Sequence, residues 1–114
     1  MSNKKEREAT KGQLTKLAGQ ANNAIPAMDL AFKDWEAQQK KNNDAGMAKA
    51  VSVIKAKAQV LETTHKSLID LTKKWQAVKN HDADDKKLLK ELIDAANDVT
   101  KGVAEGKTYL SKAK

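Results

Sequence analysis

Residues 47–78, MAKAVSVIKAKAQVLETTHKSLIDLTKKWQAV, decide the fold. Met47, Val51, Ile54, Ala58, Leu61, His65, Leu68, Thr72 and Trp75 follow one another at spacings of three and four, the period of a single stripe along an α-helix. Val53, Val60, Leu71 and Val78 widen the stripe, and strand-like alternation is absent. A helix with one apolar stripe must bury it against neighbours, and both flanks supply them. Upstream, Leu14, Leu17, Ala21, Ile25, Met28, Phe32 and Trp35 share one face; downstream, Leu88, Leu89, Leu92, Ala96, Val99, Val103, Tyr109 and Leu110 do the same. Asn42-Asn43-Asp44 and Asn80-His81-Asp82 interrupt the pattern with turn and cap residues. Acidic residues lead the segments (Glu6 and Glu8; Asp44; Asp82, Asp84 and Asp85) and lysines close them, as the helix dipole prefers. The pattern predicts an all-α, antiparallel three-helix up-down-up bundle, one domain over residues 1–114.

Two places depart from this pattern. An interior proline removes a hydrogen bond and crowds the preceding turn, so Pro26 predicts a kink in the first helix, with a break at 23–26 and four helices as the alternative. Residues 1–13 offer little to bury and are expected to form a mobile basic arm carrying Lys4, Lys5, Arg7 and Lys11.

Turns centred near residues 43 and 81 also imply a register. It sets Phe32 and Trp35 beside Val51 and Ile54, near Tyr109 and Leu110, and sets Trp75 beside Leu88 and Leu89, near Leu14. Both tryptophans then plug the core. The same register brings Asn22 or Asn23, His65 and Asn97 to one level, where a buried polar layer would need its donors and acceptors paired. His65 is expected to be a satisfied or half-exposed histidine, with a ligand or pH-sensing role as the rival. Gly102 and Gly106, a G-x-x-x-G pair, face Val60 and Ala56 near Pro26 and Leu30, which suggests close backbone approach near the kink or fraying of the last helix, with a groove for a partner helix as the rival.

Composition narrows the function. The chain carries no Cys, which excludes disulfide frameworks and thiolate metal sites, and no run of about 18 apolar residues, which argues against integral membrane association. Its start lacks the apolar core of a signal peptide, so a cytoplasmic location is expected. The net charge of +7 is almost all lysine, Arg7 being the sole arginine, and lysine is poorly suited to bidentate phosphate or guanine contacts.

Sequences that look like chemistry fail on their missing partners. Glu62-Thr63-Thr64-His65 has the spacing of one di-iron half-site, but the second copy is absent. Asp82, Asp84 and Asp85 match the start of a calcium loop, but Lys87 stands where glycine is required. Ser52-Val53-Ile54-Lys55 has the S-x-x-K spacing without the companion motifs of acyl enzymes. No cofactor, metal or catalytic set is therefore expected.

The length and three long helices resemble a spectrin-type repeat in architecture; Trp35-Glu36-Ala37 and Trp75-Gln76-Ala77 lack the glycine of WXG-type hairpin proteins. What remains is a non-enzymatic interaction module, of the kind used as an immunity protein, antitoxin, adaptor or small chaperone, with an acidic protein as partner. Its expected surface is Lys33, Lys40, Lys41, Lys49, Lys55, Lys57, Lys66, Lys73 and Lys74, because the basic excess falls on the first two helices while residues 81–114 hold seven basic and seven acidic residues. A basic accessory protein that binds nucleic acid is the alternative.

Overall fold

A computed structural model describes residues 3–113. It contains α1 (Lys4–Lys40), α2 (Asp44–Gln76) and α3 (Ala83–Lys112), joined by two short turns into an up-down-up rod of 63 × 19 × 15 Å. No strand occurs among the described residues. The buried residues keep the spacing read from the sequence: Ala21, Ala24, Met28, Ala31 and Trp35 on α1, Ala50, Ile54, Leu61, Leu68 and Trp75 on α2, and Leu88, Leu92, Ala96 and Val99 on α3. Burying a Leu or Ile contributes roughly 1.5–3 kcal/mol, and this repeated stripe is what holds the three helices together. Phe32 stacks on Tyr109 with ring centres 4.3 Å apart and on Trp35 at 5.7 Å, forming the aromatic layer expected at one end.

The turns follow from asparagine chemistry. Asn42 and Asn80 hold left-handed backbone angles (φ 55° and 62°), which asparagine tolerates better than most residues. Asn43 caps α2 by accepting from the Gly46 N–H at 3.0 Å, and its side-chain amide donates to Gln38 Oε1 at 2.9 Å. A Cβ on Gly46 would stand 2.7 Å from Gln38 Oε1, so a larger residue there would displace the Gln38 amide from Asn43. Asp82 and Asp85 form a reciprocal capping box at the start of α3. His81 closes α2: its Nε2 lies 2.7 Å from the Trp75 carbonyl oxygen, which can only accept, so Nε2 carries the proton.

Two expectations are corrected. The alternative of four helices fails, because α1 runs unbroken through Pro26. Asn22 and Pro26 are both exposed, so the Asn22 carbonyl that loses its helical donor lies on the solvent side. The expectation of a mobile arm also fails for residues 4–13, which form the first turns of α1 with Arg7 and Thr10 buried; residues 1 and 2 lie outside the described residues. Polar contacts replace apolar burial in this stretch, and they were invisible to a search for hydrophobic periodicity.

Candidate interaction surface

The end of the rod that holds the α1 N-terminus is fastened by charge. Arg7, only 7% exposed, places Nη1 2.8 Å from Asp85 Oδ1 and 3.3 Å from Asp82 Oδ2, with Asp84 at 3.7 Å from Nη2. Asn3 donates to the other Asp85 oxygen at 3.0 Å. The hydrogen bonds from Asn3 and from Arg7 hold the Asp85 carboxyl below the usual carboxylate range, against the opposing effect of its burial. The Asp85 hydrogen bond and the neighbouring carboxylates raise the Arg7 guanidinium. Beneath this clamp the Trp75 indole N–H, fully buried, donates to Thr10 Oγ1 at 3.0 Å. The three aspartates that resemble a calcium-loop start are thus engaged as a helix cap and an arginine clamp.

The mid-bundle residues are not brought together as one polar layer. Asn22, Asn23 and Asn97 are exposed, because their phase around each helix turns them onto outward faces. The buried polar group at this level is Thr64, whose hydroxyl lies 3.5 Å from Gln20 Oε1. His65 is half-buried, with Nε2 2.9 Å from Thr100 Oγ1. Since the Thr100 hydroxyl donates to the Ala96 carbonyl, His65 Nε2 is the donor in that pair. Gly102 and Gly106 are buried, a step away from their expected partners: a Cβ on Gly102 would lie 3.1 Å from Ile25 and 3.3 Å from Leu61, and one on Gly106 would lie 3.1 Å from Met28 Sδ and 3.2 Å from the Ala58 Cβ. They form a close helix approach rather than an open groove.

The nine candidate lysines do not share one face. Lys55, Lys66 and Lys73 project from α2 within about 20° of one another at ~100° per residue, away from the core. Lys33 and Lys40 are exposed on α1, and Lys41 follows it as the C-cap. Lys57 is half-buried, since it sits at a core-facing position between Ile54 and Leu61 and runs its stem out along the seam. Among the described residues, no carboxylate lies within 4.0 Å of any of the nine.

Lys49 and Lys74 stand elsewhere, on the outer groove between α1 and α2. One stretch of this groove, about 540 Å³, is bordered mostly by polar residues, including Lys16, Gln20, Thr63, Asp70 and Lys74, whose aliphatic stems supply much of its lining together with Leu17 and Leu71. A second stretch, about 500 Å³, runs toward the α1–α2 turn over Ala27, Leu30, Ala31, Asp34, Ala50 and Val53. Leu30 is 66% exposed, and Val53 and Val60, seven residues apart on one stripe of α2, are 38% exposed each. No residue of α3 lines either stretch. Apolar spacing does not mark this groove, because Leu30 lies outside the α1 stripe and Val53 and Val60 fall on the flank that widens the α2 stripe.

No described helix is long and apolar enough to cross a membrane. Comparison with protein-family models, with characterised proteins and with solved structures finds no match, so function has to be argued from this chain's own surfaces.

Proposed function

We propose that this chain is a non-catalytic helical interaction module that docks an acidic, amphipathic helix of a protein partner in the outer α1–α2 groove. The observation that carries this reading is the exposure of Leu30, Val53 and Val60 on the side of the α1–α2 pair that α3 leaves open. Two antiparallel helices with a low floor of Ala27, Ala31 and Ala50 accept a further helix whose apolar residues recur every three or four positions. Lys16, Lys49 and Lys74 outnumber Asp34 and Asp70 along the groove, which favours acidic flanks on the incoming helix. A second copy of this chain is the poorer occupant, because each copy brings a charge of +7. A cytoplasmic setting belongs to the same proposal.

Nucleic acid is the weaker alternative. Arg7 is engaged with Asp85, and both tryptophans lie in the core, so the groups best suited to phosphate and base contacts face inward.

The test is affinity capture with the full chain, run beside Leu30→Glu and Val53→Glu variants. The expected result is one stoichiometric acidic protein that wild type retains, that salt weakens, and that either variant loses while remaining helical by circular dichroism. Capture that is indifferent to both substitutions, or retention of nucleic acid alone, overturns the proposal.

A further inference from the structure

On the opposite side of α1, facing α3, three oxygens converge. Tyr109 Oη lies 2.7 Å from Asp29 Oδ1 and 2.5 Å from Glu105 Oε1. A phenol carries one proton and can donate it fully to one acceptor; divided between two carboxylates in a bifurcated bond, it leaves both contacts weak and two negative charges side by side. The other contact sets two oxygens at hydrogen-bonding distance, which is repulsive unless a second proton lies between them. That proton has to come from a carboxyl group. We propose that Glu105 keeps a proton which, together with the Tyr109 hydroxyl on Asp29, ties α1 to α3, and that losing this proton as pH rises loosens that joint.

The setting supports the assignment. All three side chains are half-buried, so water screens the carboxylates incompletely. The hydrogen bond with Asp29 holds the Glu105 carboxyl above its ordinary range, assisted by burial and by the Asp29 charge, while Tyr109 opposes the shift. Burial, then the hydrogen bonds to Glu105 and Asp29, push the Tyr109 hydroxyl well up, so the phenol stays protonated throughout. The ionisable groups acting on Glu105 are Asp29 from α1 and Tyr109 from its own helix; α2 contributes none. Lys33 and Lys101, one turn from Asp29 and Glu105 on their own helices, form no ion pair with either, and neither does Lys57, the α2 lysine nearest this level. Among the described residues, therefore, no cation pairs with Asp29 or Glu105 to replace the proton.

The sign follows from linkage. A carboxyl whose folded pKa is raised contributes stability that is complete below its unfolded pKa and is lost as pH rises through the folded value. The Asp29–Glu105–Tyr109 joint is therefore tightest in acid and relaxes as pH rises, opposite in sign to the Arg7–Asp85 clamp between the same two helices and independent of the groove on the far side.

The test is a carbon-detected NMR titration of the side-chain carboxyls in the full chain, with Asp29→Asn as the comparison. The expected result is a Glu105 midpoint above that of an ordinary glutamate, brought down by Asp29→Asn. Urea midpoints of Glu105→Gln, which supplies a neutral donor, should exceed wild type above the Glu105 midpoint and match it at pH 4. A Glu105 that titrates at or below the ordinary value, or that ignores Asp29→Asn, overturns the proposal.

Discussion

Alanine substitution should separate the four glycines within helices α1 and α3, stabilising the chain at Gly12 and Gly19 and failing to do so at Gly106, with Gly102 between. In a helix interior, Gly→Ala gains roughly 0.5–1 kcal/mol by reducing the freedom of the unfolded chain. A Cβ on Gly12 or Gly19 meets nothing within 4 Å, so Gly12→Ala and Gly19→Ala should show that gain undiminished. At Gly106 the new atom would sit 3.1 Å from Met28 Sδ and 3.2 Å from the Ala58 Cβ. The methionine can swing aside, but the Ala58 Cβ is fixed to the α2 backbone, so α2 and α3 must separate by a few tenths of an ångström. Overpacking of this kind costs about 1–3 kcal/mol, which cancels or outweighs the propensity gain. Gly102 is intermediate, since Ile25 and Leu61 present side-chain atoms at 3.1 and 3.3 Å that can partly rotate. Urea unfolding followed by circular dichroism reads all four. The Gly106→Ala chain should be less stable than the Gly19→Ala chain by about 1–3 kcal/mol. Equal stabilisation at both sites would refute the close approach of α2 and α3, and with it the register on which the packing rests.

Three further substitutions probe other joints. Pro26→Ala restores a donor to the Asn22 carbonyl at an exposed position, and should raise the urea midpoint by an amount equivalent to roughly 1–3 kcal/mol; a loss would mean that the packing depends on the proline. Thr10→Val keeps the shape but strands the buried Trp75 N–H, so a loss of about 1–3 kcal/mol is expected, with an unchanged midpoint arguing against the bond. The Asp85 carboxyl is held low, so its contribution is complete above its unfolded pKa and disappears as pH falls through the folded value. Thermal melts of Asp85→Asn should therefore show a shallower acid limb than wild type, and parallel limbs would contradict the clamp.

How much of this was legible in the sequence depended on which physical signal each part carries. Apolar spacing drew the three helices, both turns and the aromatic layer of Phe32, Trp35 and Tyr109, because burial imposes a period that residues cannot conceal. The α1 N-terminus was misjudged because Arg7 and Thr10 are held by hydrogen bonds, which leave no period. Register could have found them. In an up-down-up bundle with these turns, α3 residues lie level with α1 residues about 76 positions earlier, which sets Arg7 among Asp82, Asp84 and Asp85, and Asp29 beside Glu105. Side-chain direction was the harder part. Helical phase leaves Asn22 and Asn97 in solvent and turns Lys57 into the seam, and a shift of one or two residues in register moves Gly102 and Gly106 onto Ile25 and Met28. The outer groove was illegible for a related reason. Val53 and Val60 lie on the flank of the α2 stripe, and whether a flank is covered depends on where the third helix packs.

The footprint of the captured acidic partner on this chain, mapped by backbone amide NMR shifts, tests the central claim most directly. Shifts concentrated at Ala27, Leu30 and Ala31 on α1 and at Lys49, Val53 and Val60 on α2 are the result the account requires. A footprint on α3, or confined to the outward lysines Lys55, Lys66 and Lys73, would contradict it.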